Sequence, residues 1–304
     1  MKAARYYGKE DLRIEDVDVP RIKEDDELLV EVALCGICGT DLHEFDVGPI
    51  VTPTEPHPLT GAVLPQTMGH EFGGRVVAAG PATRGAEVGD RVAIMPAIVC
   101  GRCYHCRRGN GHLCSRFACT GLSSETGGLS QYAVVKDYQV ATLPDDVSDT
   151  EGALIEPASV AAYGVERAGI RGGDTVLVTG AGPIGLLSAL YASAVGAATV
   201  VVSEVNPQRA KVAAELDLGP VVTPDQLADT VDELTQGVGV DLAVECSGTT
   251  PGLSGCLDNV RRSGAVVQTG LHTRPATIDA MQLSEKDVSL HGSWCWRITD
   301  WDRT

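Results

Sequence analysis

The sequence predicts an α/β protein of two domains: a β-rich N-terminal domain and a doubly wound domain with a parallel sheet. Its 304 residues exceed the usual size of a single domain. Residues 1 to about 150 contain brief β-branched stretches closed by Gly, Pro or Asp, which is typical of short strands. From about residue 158, apolar strands alternate with helix-like segments, which indicates βαβ units. We therefore place the domain boundary after Pro157, between residues 1–157 and 158–294.

Charge and hydropathy exclude several classes of partner. The formal net charge of −17 disfavours binding to nucleic acid or to an anionic membrane surface. No apolar run approaches the ~20 residues needed to span a bilayer, and the N-terminus lacks the apolar middle of a signal peptide. We expect a cytoplasmic protein, in which ten cysteines indicate metal binding or reactivity rather than disulfides.

One loop, "CGRCYHCRRGNGHLC", carries the strongest metal signal. Its spacing, C-x2-C-x2-C-x7-C, lets four thiolates surround one tetrahedral ion and leaves no open position for a substrate. This set of predicted structural zinc ligands comprises Cys100, Cys103, Cys106 and Cys114. An iron–sulfur cluster is the competing interpretation, because thiolates bind it equally well.

A second set of candidate ligands is dispersed along the chain. It supplies a thiolate, an imidazole and two carboxylates, which suit a zinc ion that keeps one position open. The set comprises Cys38, His70, Glu71 and Glu156. Spacing alone cannot join these residues: His70 fits a structural histidine, and Glu156, before a proline, fits a helix cap. Cys35 and Cys38 also form a CxxC pair, for which a redox role is the alternative.

The stretch "VLVTGAGPIG" predicts a dinucleotide site. A glycine-rich turn that follows an apolar strand and opens a helix allows close approach of a pyrophosphate to the helix N-terminus. The residues of this turn are Gly180, Gly182, Pro183, Ile184 and Gly185.

An acidic residue after the next strand indicates which dinucleotide binds. Glu204 can bind ribose hydroxyls and repel a 2′-phosphate, which favours NAD over NADP. Arg209 can partly offset that repulsion, and a solvated loop acid is the alternative role for Glu204.

Taken in order, the motifs resemble one known family across nearly the whole chain. "GICGTDLH", "GHEFGG", the clustered cysteines, "EPASVAAYGV" and "GAGPIG" are similar to the medium-chain, zinc-dependent alcohol dehydrogenases, and "HEFDVGPI" with "HPLTG" is similar to their butanediol dehydrogenase branch. The resemblance implies a GroES-like catalytic domain and a Rossmann domain. It places Cys38, His70 and Glu156 at the catalytic zinc, with Glu71 beside them as a further carboxylate or exchangeable ligand, and makes Cys35 a core residue.

The same resemblance implies roles in proton transfer and cofactor binding. Thr40 and His43 match a relay that carries the substrate proton to solvent; a helix N-cap and a surface histidine are their alternatives. "QTGLH" and "GSWCW" resemble loops that hold the carboxamide of nicotinamide. The residues carried over from these loops are Thr269, Ser293 and Cys295.

These expectations combine into one predicted function. Two zinc ions and NAD would support reversible oxidation of a secondary alcohol or vicinal diol in a cleft, with 2,3-butanediol and acetoin as the favoured pair. A sorbitol- or threonine-type dehydrogenase, or a non-catalytic NAD(H)-binding protein, is the alternative. We expect a homodimer or homotetramer. Residues 295–304 resemble the start of a return to the first domain that is truncated, so we expect slow turnover.

Overall fold

The chain is divided into two units by its contacts. The computed structural model describes residues 1–303. One unit comprises Met1–Glu156 and a C-terminal segment that begins at Arg297, and the other comprises Pro157–Trp296. The division falls beside Pro157, whereas the domain limits 1–157, 158–294 and 295–304 stay a prediction.

Antiparallel strands dominate the first unit. Its strands are β1 (Lys2–Gly8), β2 (Asp11–Asp16), β3 (Glu27–Gly36), β4 (Gln66–Thr67), β5 (Glu71–Ala79), β6 (Arg91–Ile94), β7 (Ala97–Ile98), β8 (Ala118–Cys119), β9 (Tyr132–Lys136) and β10 (Val140–Thr142). They form three sheets in the orders β2-β1-β4, β10-β6-β5-β3-β9 and β7-β8. Fully buried Leu28, Val30 and Phe72 belong to the core of the five-stranded sheet.

Two residues separate the end of β3 from the start of helix α1 (Gly39–Val47). The antiparallel pairing of β3 with β5 sets Gly36 opposite Glu71. Since one strand ends where the other begins, the start of α1 lies next to the start of β5. Short 3₁₀ segments cover Cys106–Arg108, Gly111–Leu113, Asp137–Gln139 and Ile298–Arg303.

Helix α2 (Asp149–Arg167) has 19 residues and contains Pro157. Proline inside a helix removes one backbone donor, so the hydrogen-bond ladder is interrupted beside the division between the units. Within residues 1–303, no helix is long and apolar enough to cross a membrane.

The second unit is a parallel sheet with helices on both faces. Its strands are β11 (Thr175–Thr179), β12 (Thr199–Ser203), β13 (Val221–Val222), β14 (Val240–Glu245), β15 (Val260–Gln268) and β16 (Ser289–Gly292). Its helices are α3 (Pro183–Ala194), α4 (Pro207–Glu215), α5 (Pro224–Thr235), α6 (Thr250–Asn259) and α7 (Met281–Glu285). Two apolar clusters, one containing Val178 and the other Leu177, bury opposite sides of β11.

The strand order identifies the ligand-binding edge of this sheet. All neighbours in the order β13-β12-β11-β14-β15-β16 are parallel. The order reverses between β11 and β14, and such sheets bind ligands at the carboxyl ends of the strands beside that reversal. The predicted α/β class, with a β-rich domain and a Rossmann sheet, is confirmed.

Candidate functional site

Four sulfur atoms converge in the cysteine-rich loop. The Sγ atom of Cys103 lies 3.4 Å from that of Cys106 and 4.0 Å from that of Cys114, and the Sγ atom of Cys100 lies 4.0 Å from that of Cys106. A tetrahedron of ~2.3 Å zinc–sulfur bonds has an edge of about 3.8 Å, so the spacing suits one ion. It is far too long for disulfides, and all ten cysteines are free.

Backbone N–H groups make this loop suitable for thiolates. The N–H of Cys106 donates to Cys103 Sγ over 3.5 Å, and that of Arg116 donates to Cys114 Sγ over 3.3 Å. Such donors lower the pKa of Cys103 to about 5. Burial, together with hydrogen bonds to the neighbouring thiols, raises the pKa of Cys106 to about 12. A bound cation would stabilise all four sulfurs as thiolates.

The dispersed residues also come together in part. Ligand atoms of Cys38, His70 and Glu71 all lie within 4.8 Å of one another. Cys38 follows β3 and His70 precedes β5, so the β3–β5 pairing accounts for the contact. A side chain on Gly36 would collide with the Glu71 carboxylate, which explains why glycine suits that position.

Asp41, which was not among the predicted site residues, contacts two members of this group. Its Oδ2 accepts a hydrogen bond from the Cys38 N–H at 3.0 Å, and its Oδ1 lies 3.6 Å from His70 Nδ1. Burial alone would lower the pKa of His70, but contacts with Asp41 and Cys38 raise it well above the ordinary value. An acid facing Nδ1 leaves Nε2 available to a metal. The acid three residues after an N-cap was the available signal.

Glu156 is buried in α2, where it is 7% exposed. The interpretation of this residue as a helix cap is wrong, because it lies inside the helix. Glu156 lies outside the 4.8 Å group, yet it interacts electrostatically with His70, Glu71 and Asp41. Burial and the two acids raise its pKa to about 8, while His70 lowers it. These buried carboxylates and a thiol fit a divalent cation, which would offset their desolvation.

Thr40 and His43 lie one turn apart on α1, and both are half-buried. Residues three apart share a helix face, as a proton relay between them requires. The Oγ1 atom of Thr40 lies 3.6 Å from Cys38 Sγ. The alternative role of Thr40 as an N-cap is wrong, because Cys38 holds that position.

The glycine-rich turn between β11 and α3 has the geometry of a phosphate cradle. Gly180 adopts a φ of +91°, which favours glycine. A side chain at Gly185 would overlap the Gly180 carbonyl oxygen, whereas the space beside Gly182 is open. Pro183 begins α3, followed by half-buried Ile184, so the helix N-terminus is available to an anion.

Glu204 follows β12 at the same edge of the sheet. It is 5% exposed, so its interpretation as a solvated loop acid is wrong. Its Oε2 accepts a hydrogen bond from the Ala181 N–H at 2.6 Å, and its Oε1 accepts one from the Asn206 N–H at 2.7 Å. The carboxylate therefore holds the glycine-rich turn in place, while Arg209 is exposed on α4.

Three further predicted cofactor residues follow the last two strands. Half-buried Thr269 follows β15, and its hydroxyl donates to the Glu245 carbonyl oxygen at 2.7 Å. Ser293 follows β16 and donates its N–H to the Gln268 carbonyl oxygen at 3.0 Å. Cys295, two residues on, has a left-handed φ of +48°. Carboxyl ends of parallel strands share one edge, so Thr269 and Ser293 lie on the edge that carries the glycine-rich turn.

Comparisons with known proteins agree with this organisation. A family model for the "Alcohol dehydrogenase GroES-like domain" matches residues 24–145, and one for "Zinc-binding dehydrogenase" matches residues 183–304. The (R,R)-butanediol dehydrogenase of Bacillus subtilis is 37% identical over 96% of this chain and 84% of the relative. The sorbitol dehydrogenase of the same organism is 31% identical over 96% and 81%. The L-threonine 3-dehydrogenase of Sinorhizobium medicae is 34% identical over 92% and 79%.

Solved structures give the same result. The 2R,3R-butanediol dehydrogenase of Bacillus subtilis superposes with a TM-score of 0.90 at 35% identity, covering 99% of this chain and 87% of that one. A zinc-binding dehydrogenase of Sinorhizobium meliloti, bound to NADP, superposes with a TM-score of 0.86 at 30% identity, covering 99% and 86%. The chain belongs to the medium-chain, zinc-dependent alcohol dehydrogenases, in the butanediol dehydrogenase branch, and is an oxidoreductase that uses zinc and a nicotinamide cofactor.

Proposed function

We propose that this enzyme oxidises a secondary alcohol or vicinal diol to a ketone, with 2,3-butanediol and acetoin as the favoured pair and NAD as the hydride acceptor. The observation that carries the proposal is the group formed by half-buried Cys38 with buried His70 and Glu71, with Thr40 and His43 on the adjoining helix. The 37% identity to (R,R)-butanediol dehydrogenase supports the diol. We also propose that the enzyme acts in the cytoplasm as a homodimer or homotetramer.

The chain's donors divide between two zinc ions in this proposal. Cys38, His70 and Glu156 hold the catalytic ion, with Glu71 as a neighbouring or exchangeable carboxylate. The structural ion is held by Cys100, Cys103, Cys106 and Cys114. Zinc bound by the first set would act as a Lewis acid that lowers the pKa of the substrate hydroxyl, and bound NAD would serve as the hydride acceptor.

Proton removal is assigned to α1. The Thr40 hydroxyl accepts the proton of the alcohol and gives up its own proton toward His43. The His43 imidazole then passes a proton to solvent. Asp41 keeps the His70 ring oriented, because its carboxylate faces Nδ1 at 3.6 Å.

Cofactor binding is assigned to the carboxyl edge of the parallel sheet. Gly180, Gly182 and Gly185 admit the pyrophosphate to the N-terminus of α3, with Pro183 and Ile184 in the same turn. The Glu204 carboxylate accepts hydrogen bonds from the ribose hydroxyls and repels a 2′-phosphate. Arg209 can partly offset that repulsion. The carboxamide of nicotinamide is assigned to Thr269, Ser293 and Cys295.

A polyol or amino-alcohol substrate is the second candidate. It is favoured by the matches to a sorbitol dehydrogenase and an L-threonine 3-dehydrogenase at 31% and 34% identity. A panel of 2,3-butanediol stereoisomers, sorbitol, xylitol and L-threonine, followed by NADH absorbance, separates the candidates. We expect the highest kcat/KM with one butanediol isomer. Turnover of sorbitol or threonine without any diol oxidation would reassign the substrate, and no turnover in a zinc-loaded protein that binds NADH would indicate a non-catalytic protein.

The cysteine-rich loop makes a prediction about metal content. Cys103→Ser removes one ligand of a closed site, so we expect the loss of about one zinc per chain and a lower unfolding temperature. Affinity for NADH should change less than twofold. Elemental analysis and calorimetry measure these effects.

Cys256→Ser is the control with the same chemical change, because Cys256 lies outside the four-cysteine loop and packs in the apolar core of the second unit. It should lower stability and keep both zinc ions. Equal zinc loss in the two variants would contradict the assignment of the loop.

Glu204 makes a prediction about cofactor choice. Glu204→Gln keeps an oxygen that can accept the Ala181 N–H but removes the charge, so the preference for NAD over NADP in kcat/KM should narrow by at least ~10-fold. Glu204→Ala also loses the hydrogen bond and should weaken binding of both cofactors. An unchanged ratio in Glu204→Gln would show that the charge does not select the cofactor.

The relay makes a prediction about rate. Thr40→Val preserves shape and removes the hydroxyl, so kcat should fall by about 10²-fold or more, with zinc content and NADH affinity preserved. Thr40→Ser restores a hydroxyl and should recover most of the rate in steady-state assays. Similar rates for Thr40→Val and the unmodified enzyme would exclude Thr40 from proton transfer.

A further inference from the structure

The last residue of β14, Glu245, is a fully buried carboxylate with 0% exposure. It lies beside the reversal of strand order, at the edge to which we assign the cofactor. None of the roles assigned above uses it. A buried charge is costly unless hydrogen bonds satisfy it, so its partners show what it holds in place.

One set of partners joins Glu245 to the loop after β15. The N–H groups of Thr269 and Gly270 both donate to the Glu245 carbonyl oxygen at 2.9 Å. The Thr269 hydroxyl donates to the same oxygen at 2.7 Å. Three hydrogen bonds to one carbonyl oxygen therefore fix both the backbone and the side chain of Thr269.

The carboxylate joins two loops. Its Oε1 accepts hydrogen bonds from the N–H of Ser247 at 2.7 Å, the hydroxyl of Ser247 at 2.6 Å and the N–H of Gly248 at 2.9 Å. Its Oε2 lies 3.2 Å from Nε2 of His272, in the loop after β15. Glu245 thus holds the loop after β14 through one oxygen and the loop after β15 through the other.

Close packing leaves this carboxylate little freedom. A side chain at Gly270 would come within 2.6 Å of Oε2, and one at Gly252 within 3.0 Å of Oε1. The Thr269 hydroxyl also lies 3.2 Å from the Sγ atom of Cys246. The two loops therefore pack closely around the carboxylate.

We propose that Glu245 is a positioning residue for the nicotinamide end of the cofactor: by joining the loops after β14 and β15 and pairing with His272, it fixes Thr269 before the dinucleotide arrives. The inference rests on the proposed function, because it takes Thr269 as a contact of the nicotinamide carboxamide. Preorganised loops lose less conformational freedom on binding, which increases affinity.

The test uses the zinc-loaded protein with all 304 residues, and NADH as the probe. Glu245→Gln keeps an oxygen that can accept hydrogen bonds from Ser247 and Gly248, but it removes the negative charge and the second acceptor oxygen that faces His272 Nε2. We expect the Kd for NADH and the KM for NAD to rise about 10-fold, with zinc content unchanged and the alcohol KM at saturating NAD within twofold.

His272 provides an independent variant, since its side chain is 15% exposed and its replacement is better tolerated. His272→Ala should raise the Kd for NADH as Glu245→Gln does. His272→Gln, which retains an N–H donor, should have a Kd close to that of the unmodified protein. If the two residues act through one contact, the double variant Glu245→Gln/His272→Ala should have nearly the same Kd for NADH as either single variant. Should Glu245→Gln fail to fold, the two His272 variants decide the question.

Asp241→Asn is the matched control on the same strand. Asp241 lies near the opposite end of β14, where it accepts the N–H of Thr175 at 2.8 Å and pairs with Arg261 at 2.7 Å. Its replacement should lower the unfolding temperature and leave the Kd for NADH unchanged.

The outcomes separate the inference from the proposed function. NADH binding by the unmodified protein with an unchanged Kd in Glu245→Gln or His272→Ala would overturn the role of Glu245 alone. An equal rise in Kd for Asp241→Asn would also overturn it, because the effect would then be general destabilisation. Failure of the unmodified, zinc-loaded protein to bind NADH would overturn the proposed function together with this inference.

Discussion

The register of β3 against β5 is the constraint on which the candidate metal centre depends. Gly36 pairs with Glu71, so Cys38, just beyond β3, meets His70, just before β5. A slip of one residue would turn every side chain of β5 to the opposite face and separate the ligand atoms. The absence of a side chain at Gly36 leaves room for the Glu71 carboxylate. Asp41 accepts the Cys38 N–H through one oxygen and faces His70 Nδ1 with the other, at 3.6 Å.

Buried carboxylates serve a common purpose in both units: they accept backbone N–H groups and hold loops near the candidate sites. Glu44, on α1 beside His43, accepts the N–H groups of Ile50 and Val51. Glu204 accepts the N–H of Ala181, and Glu245 accepts that of Ser247. In each case, charge-assisted hydrogen bonds, which are stronger than neutral ones, offset the free-energy cost of burying the charge. These hydrogen bonds give the loops defined positions.

The two candidate zinc sites differ in how the chain builds them. The four-cysteine loop draws its ligands from 15 consecutive residues, and its backbone N–H groups supply the charge compensation. The proposed ligands of the other site lie up to 118 positions apart, from Cys38 to Glu156, so bringing them together requires the folded sheet. A closed local site suits a structural role, whereas an assembled site in a buried acidic group suits catalysis.

The sequence by itself determined what depends on neighbouring residues: the α/β class, the glycine-rich turn and the four-cysteine loop all follow from local spacing and periodicity. Only the tertiary structure decided which distant residues meet. It placed Cys38 rather than Thr40 at the cap of α1, buried Glu156 within a helix, and gave Glu204 two backbone partners. Asp41 carried only its spacing from the cap of α1, and Glu245 carried no motif, because their contacts with His70 and His272 join residues that are distant in sequence. Such contacts depend on register and burial, which no single stretch of residues specifies.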